Sequence, residues 1–352
     1  MSVTAGSTRV VRPAPRSQTD RLVVPDALRG IAIVAMLIAH AMPLVPSLRA
    51  GAIGFVAGNV NDLASPLFAL VMGMSAALVL ARPGASGRRV VLQNLARAAI
   101  LIGLGLWLST WATWIAIVLA FLGVTLAIGT PILLLRSRVV AAITVVIVVV
   151  GAPLNAAVAA AADPLVLYSP TPAGYALTWL FTGPNYRVTN LLPFFLLGAL
   201  LLRHGFRRDR LLAVLAVVAV LAYPMRPLLE RVTGKDSVSG SHLDTLHDLG
   251  LVLAVHVAVV LLTTVRAAPR AAIEAGLVPF RAVGSLSLSV YVLQVAVVAA
   301  LAGAGYGYAV DTPWAFAVLV LGVWLAGVLW WRFCGTGPIE WVTGRLTRLL
   351  VR

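Results

Sequence analysis

Repeated long apolar runs occupy most of this chain and constrain its fold more than any other feature. Backbone groups inside a bilayer have no water to bond, so a run of about twenty apolar residues satisfies them as a helix. A content of 61% hydrophobic and 11% charged residues excludes a soluble globular domain. The sequence therefore predicts an all-α polytopic transmembrane helix bundle of about ten spans. The runs lie near residues 27–45, 62–81, 90–109, 112–135, 138–160, 188–202, 211–229, 247–265, 284–304 and 313–333.

The net charge of +15 follows the predicted topology. With ten spans, 22 of the 27 lysine and arginine residues lie on the side of the N-terminus. Positive residues concentrate on the cytoplasmic side of membrane proteins, so both termini are expected in the cytoplasm and the bundle in the plasma membrane. This explanation makes nucleic acid unnecessary as a partner. Membrane lipids are expected partners, and a homo-oligomeric assembly is left open.

Three regions are predicted along the chain. Residues 1–21 form a polar, basic tail that we expect to be disordered. Residues 22–335 form the bundle, with the first run retained as an anchor because no small-residue cleavage site follows it. Residues 336–352 form an amphipathic, cationic stub suited to the inner membrane surface.

The first apolar run carries ionisable residues at both ends. Asp26 and Arg29 precede ten residues without charge, and His40 closes the run. Arg29 and His40 are thus roughly 16 Å apart along a helix, about half the thickness of a hydrocarbon core. Ionisable groups at this depth indicate function by default. The alternatives are a histidine resting in the opposite interface and a local Asp26–Arg29 ion pair.

The second apolar run begins with polar residues that include Asn59, Asn61 and Asp62. Asp62 or Ser65 is predicted to cap this helix, with Pro66 at its first position. Asp62 could also face His40 across the connection, where a carboxylate would fix the tautomer of the imidazole and raise its basicity.

Two later stretches add candidates. His242, Asp244 and His247 occur in a predicted outer loop before the eighth run. Their spacing does not guarantee converging ligands, so no metal site is predicted. Tyr291 and Gln294, three residues apart in the ninth run, would be neighbours inside the bundle. The aromatic residues of the 161–187 loop would be either interface anchors or a platform for a sugar or lipid headgroup.

Several of these stretches resemble known membrane families. Arg29, ten intervening residues and His40 resemble the acyltransferase-three family, whereas the segments 26–32 and 61–75 resemble the start of heparan-α-glucosaminide N-acetyltransferase and its bacterial relatives. Near the C-terminus, 283–294 and 337–347 resemble the bacterial YeiB-like family. The heparan enzyme has asparagine where His40 falls, and residues 41–61 contain no histidine. His40 therefore matches only the acyltransferase-three pattern.

The resemblance implies transfer of an acyl group, expected to be acetyl, from cytosolic acyl-CoA to a hydroxyl or amine of an outer-face glycan or lipid-linked acceptor. We expect acetyl-CoA as co-substrate, without a metal. In this interpretation His40 and Asp62 are catalytic. The donor side has Arg29, Asp26, Tyr291 and Gln294, and the acceptor side has Asn59, Asn61, His242, Asp244 and His247. The rival interpretations are a transporter or flippase and a non-catalytic protein of envelope assembly.

Overall fold

The structure is a computed structural model, which describes residues 23–167, 169–265 and 270–351. These ranges contain helices and no strands, which confirms the all-α prediction. The predicted basic tail, residues 1–21, lies outside the described residues.

The helices are numbered in chain order. They are α1 (Val23–Ala41), α2 (Gly51–Leu80), α3 (Gly87–Ser109), α4 (Leu119–Ile132), α5 (Ser137–Ala161), α6 (Pro164–Leu167), α7 (Pro172–Leu177), α8 (Val188–His204), α9 (Arg210–Ala222), α10 (Met225–Thr233), α11 (His242–Thr263), α12 (Arg270–Ser285), α13 (Ser287–Gly303), α14 (Pro313–Ala317), α15 (Val323–Cys334) and α16 (Pro338–Leu350). Two π-helical turns, Thr178–Thr182 and Val318–Gly322, extend α7 and join α14 to α15.

The chain is a multi-pass helical membrane protein. Among the described residues, seven helical segments are long and apolar enough to cross a bilayer. The pair α12–α13, bent by 75°, makes an eighth if it is counted as one span. The shorter apolar helices α4 and α8 fall within the two remaining predicted runs, so every predicted run contains a helix.

Two predicted boundaries are wrong. Helix α2 begins at Gly51 rather than near residue 62, so most of the connection between the first two predicted runs, residues 46–61, is helical and Pro66 lies inside the helix. Asp62 and Ser65 therefore do not cap it. Because proline has no N–H, Pro66 leaves the carbonyl of Asp62 without its usual helical donor. In the fourth predicted run, near residues 112–135, the helix begins only at Leu119, and residues 112–118 are irregular.

Helix α1 is at the centre of the bundle, packed against α2, α11, α12 and α13. Its approach to α12 depends on glycine. A Cβ added at Gly30 would lie 1.9 Å from the Phe280 carbonyl oxygen, and one added at Gly284 would lie 2.5 Å from the Asp26 carbonyl oxygen. The two backbones are therefore in direct contact, as small residues permit in membrane bundles.

The C-terminal helix α16 is fixed to the bend between α12 and α13. The Glu340 carboxylate accepts hydrogen bonds from the backbone N–H groups of Leu288, at 2.7 Å, and Ser289, at 3.1 Å, and from the Ser289 hydroxyl. These are donors in the first turn of α13, which have no partner within their own helix. A distant side chain thus caps the second half of the bent span.

The α1–α12 contact predicts that Gly30→Ala destabilises the protein. Overlap with the Phe280 carbonyl should force the helices apart and lower the free energy of unfolding by about 1–3 kcal/mol. Thermal unfolding of the purified protein in detergent measures this. The control is Gly103→Ala in α3, where an added Cβ meets no atom within 4 Å. That variant should unfold at or slightly above the wild-type temperature. Equal unfolding temperatures for both variants would contradict the prediction.

Candidate active site

A cavity of about 470 Å³ lies beside the C-terminal end of α1. We call it the polar cavity, because charged and hydrogen-bonding side chains form much of its wall. Those used below are His40, Asn61, Asp62, Trp114, Tyr186, Arg226, Asp244, Asp248 and Tyr308. These residues come from seven helices or connecting segments that are separate in sequence.

His40 is held from two sides. Its Nδ1 contacts the side-chain amide of Gln294 on α13, and its backbone carbonyl accepts a hydrogen bond of 3.0 Å from Trp114 Nε1. Since Gln294 takes Nδ1, the nitrogen left for a ligand in the polar cavity is Nε2. From the sequence, Gln294 is expected on the donor side. The structure places it against His40, one helical turn beyond Tyr291, as three residues of helix require.

Asp62 shares the polar cavity with His40 but pairs with other residues. Its carboxylate lies 2.9 Å from Arg226 Nη1 and 3.7 Å from His247 Nε2. The expected carboxylate–imidazole pair therefore involves His247, and His40 has Gln294 instead. Asp62 thus faces α10 and α11.

Arg226 is the centre of a charge cluster on one wall of the polar cavity. Besides Asp62, it contacts Asp244 at 3.0 Å and Glu230 at 3.1 Å. Asp244 also accepts a hydrogen bond of 2.7 Å from the backbone N–H of Gly240. One guanidinium thus links α2, α10 and α11, and its five donors suit this number of acceptors.

The other residues expected on the acceptor side lie in different parts of the structure. Asn61 lines the polar cavity. His247 is buried behind it, stacked on Tyr223 and hydrogen-bonded through Nδ1 to the Tyr223 carbonyl at 2.9 Å. Asn59 bonds back to the Phe55 carbonyl, and His242 is exposed beside the Val149 carbonyl. Neither Asn59 nor His242 is in the wall of the polar cavity.

Two further cavities lie toward the other end of α1. The basic cavity, of about 410 Å³, is lined by Arg29, Arg97, Asn94 and Glu340 among others. Arg29 is 3.6 Å from Asp26, which confirms the local ion pair, and its guanidinium also donates to the Ser75 hydroxyl. Asp26 itself is not in the wall of this cavity.

The apolar cavity, of about 230 Å³, shares Arg29 with the basic cavity and extends along α1 to Met36. Tyr291 lines its far end, where its hydroxyl accepts a hydrogen bond of 3.3 Å from the Val118 N–H. Met36 and Tyr291 each stand one turn before the contacting pair His40 and Gln294. The apolar and polar cavities therefore approach α1 at successive turns.

Several residues of the polar cavity are not among the candidates taken from the sequence. Arg226 enters there only as one of the cations on the predicted outer side, and Trp114 lies in a stretch predicted to be helical. Asp248 lies one turn after Asp244 on α11, and this i, i+4 spacing is visible in the sequence. The Arg49 guanidinium lies over the Tyr308 ring, 4.9 Å from the ring centroid, and sequence spacing does not reveal this contact.

Burial shifts the pKa values of two side chains in the segment before α8. It raises the pKa of the Tyr186 phenol to about 12, so this cavity residue keeps its proton and can donate a hydrogen bond. Burial lowers the pKa of Arg187, and the nearby Asp244 acts in the opposite direction. Arg187 stays protonated and donates to the Ser239 carbonyl at 2.8 Å. The described residues contain no group of three side chains suited to a metal ion.

Comparison with known families divides the chain into two regions. Residues 21–197, half of the chain, match the family described as heparan-alpha-glucosaminide N-acetyltransferase, catalytic. Residues 199–349 match a family described as protein of unknown function (DUF418), which is YeiB-like. The resemblances to heparan-α-glucosaminide N-acetyltransferase and to the YeiB-like family are thereby confirmed. A search of curated proteins finds no match.

The charge cluster predicts that Arg226→Met destabilises the protein. The change leaves Asp62 and Asp244 facing each other without their shared cation, which should lower the free energy of unfolding by about 2–3 kcal/mol. Thermal unfolding measures the loss. Arg231→Met, at an exposed position of the same helix, is the control and should unfold like wild type. Adding Asp62→Asn to Arg226→Met should restore part of the loss, and no restoration would contradict this account.

Proposed function

The chain belongs to the family of heparan-α-glucosaminide N-acetyltransferase catalytic domains, and from this membership we propose that it is a membrane acyltransferase that uses acyl-CoA. The expected group is acetyl, and the acceptor is a hydroxyl or amine of a glycan or lipid-linked molecule at the outer face. The observation that carries the proposal is the position of His40. It lines the polar cavity one turn beyond the end of the apolar cavity.

The donor side of the proposal uses the basic and apolar cavities. Arg29 and Arg97 supply positive charge for the phosphates of CoA, for which guanidinium groups are well suited. The apolar cavity, lined by Met36, Phe68 and Tyr291 among others, offers a path for the less polar arm that carries the thioester. The residues of these cavities fit such a co-substrate in charge and in polarity.

The chemistry needs a base at the acceptor. In the proposed step His40 Nε2 takes the proton of the acceptor hydroxyl or amine. The oxygen or nitrogen then forms a bond to the thioester carbonyl carbon, the carbon–sulfur bond breaks, and the CoA thiolate takes the proton from the imidazolium. General base catalysis of this kind contributes about 10²–10⁴-fold to the rate.

The polar cavity is the proposed acceptor site. Asn61, Asp62 and Asp244 present amide and carboxylate groups, and Tyr186 adds a protonated phenol. Tyr308 and Trp114 add aromatic surfaces to the same wall. Hydrogen-bonding groups next to aromatic rings suit a polyhydroxylated ligand with apolar ring faces. Asp62 therefore serves acceptor binding in this proposal, rather than acting directly on His40.

The proposed topology has ten spans, with the short helices α4 and α8 counted as crossings. Both termini and the basic cavity are then cytoplasmic, where acyl-CoA is available, and the polar cavity opens toward the outer side. The distribution of 22 of 27 cationic residues supports this orientation. The amphipathic helix α16 would lie at the inner surface.

The proposal predicts that acetyl-CoA raises the unfolding temperature of the purified protein, because a ligand that binds only the folded state stabilises it. His40→Ala should keep this stabilisation and lose acyl transfer by at least about 10²-fold. Transfer is measured with radiolabelled acetyl-CoA and envelope glycan or lipid fractions. His204→Ala, beside Asp209 at the opposite end of the bundle, is the matched control and should retain transfer.

Two results would contradict the proposed function. Stabilisation by a small solute or lipid-linked sugar, with none by CoA or acetyl-CoA, would favour a transporter or flippase. Full transfer activity in His40→Ala would remove the imidazole from the mechanism.

The topology predicts the accessibility of Cys334, which is the single cysteine of the chain and is exposed at the end of α15. In intact cells a membrane-permeant maleimide should label Cys334, and an impermeant one should not. A Cys334→Ala, Ser47→Cys variant moves the thiol to the other end of the bundle and should react with both reagents. Labelling of wild-type cells by the impermeant reagent would indicate the opposite orientation, with Cys334 on the outer side.

A further inference from the structure

We propose that Gln294 is a positioning residue, which holds His40 with its ring proton on Nδ1 so that Nε2 faces the polar cavity as the base. This inference rests on the proposed function. It assigns a task within the reaction to the YeiB-like region, whose family description gives no function.

The contact is direct and enclosed. The Gln294 amide nitrogen, Nε2, faces His40 Nδ1, and Gln294 is fully buried, with 0% of its surface exposed. The second polar atom of the amide is also buried and has no hydrogen-bond partner among the described residues. A buried polar atom without a partner destabilises the folded protein. The glutamine therefore carries a cost in stability, and its amide has its hydrogen-bonding contact with the His40 imidazole.

The tautomer of His40 depends on which amide atom faces Nδ1. An amide nitrogen would donate to Nδ1 and place the ring proton on Nε2, where the imidazole could no longer accept a proton from the acceptor. An amide oxygen would accept the Nδ1 proton and leave a lone pair on Nε2. The two arrangements differ by a rotation of the amide that barely changes the heavy-atom positions. The structure has the first arrangement, with the amide nitrogen toward Nδ1. Only the second one supports base catalysis, so the proposal requires the amide in its rotated orientation.

The same contact acts during the transfer. When Nε2 takes the acceptor proton, the ring becomes a cation whose Nδ1–H still donates to the Gln294 oxygen. A hydrogen bond from a charged donor is stronger than one from a neutral donor, so the contact stabilises the ring most when the charge is present. The proton then leaves with the CoA thiolate, and the starting tautomer is restored. Gln294 neither gains nor loses a proton.

The first test compares three variants in the full-length protein. Gln294→Leu removes the acceptor and should lower kcat for acetyl transfer by about 10²-fold, with the KM for acetyl-CoA unchanged. Gln294→Glu keeps an oxygen that accepts from Nδ1–H and should stay within about tenfold of wild type. Gln93→Leu, the same substitution at a half-buried glutamine on α3, is the control and should behave like wild type. Equal loss in the leucine and glutamate variants, or full activity in the leucine variant, would overturn the proposal.

The second test does not depend on activity. Nitrogen-15 NMR of the histidine-labelled protein distinguishes a protonated ring nitrogen from an unprotonated one, and comparison with His40→Ala identifies the His40 signals. Wild type should show the proton of His40 on Nδ1, and Gln294→Leu should show a mixture of tautomers. A wild-type His40 with its proton on Nε2 would overturn the proposal. If wild type transfers no acyl group but has the Nδ1 proton, the proposed function fails and the positioning contact stands.

Discussion

The contact between α1 and α12, where two backbones meet at Gly30 and Gly284, is the constraint on which the rest of the structure depends. Membrane helices gain little from apolar association, because lipid is as apolar as their side chains, so close approach and polar contacts must hold them together. The α1–α12 crossing brings the first and ninth apolar runs side by side. Helix α13, which continues from α12, can then place Gln294 against His40.

The two family regions are incomplete without each other. His40, Asp62 and the cationic side chains of the basic cavity come from the first region, and Arg226, Asp244 and Gln294 come from the second. Asp62 and Arg226 form an ion pair across the boundary between the regions, and the Gln294 amide makes a hydrogen-bonding contact with the His40 imidazole across the same boundary. The site is therefore a property of the whole bundle and does not belong to either region alone.

Local features of this chain were predictable from its sequence, whereas distant pairings were not. The apolar runs and the Asp26–Arg29 pair depend on helical periodicity and length, which the sequence displays directly. The predicted start of α2 is wrong because a proline after polar residues usually marks the start of a helix. Here α2 packs against α8 and continues through Pro66. The partners of Asp62 and His40, 164 and 254 residues away, depend on how the helices are arranged.

The attachment of Glu340 to the first turn of α13 has a consequence for biosynthesis. Ribosomes deliver the chain from its N-terminus, and Glu340 follows Leu288 by 52 residues and Ser289 by 51. The donors at Leu288 and Ser289 therefore wait until α14 and α15 have been made before they receive this carboxylate. The bent ninth segment is completed only after α16 is present, so the first turn of α13 is capped later than the helices that precede it.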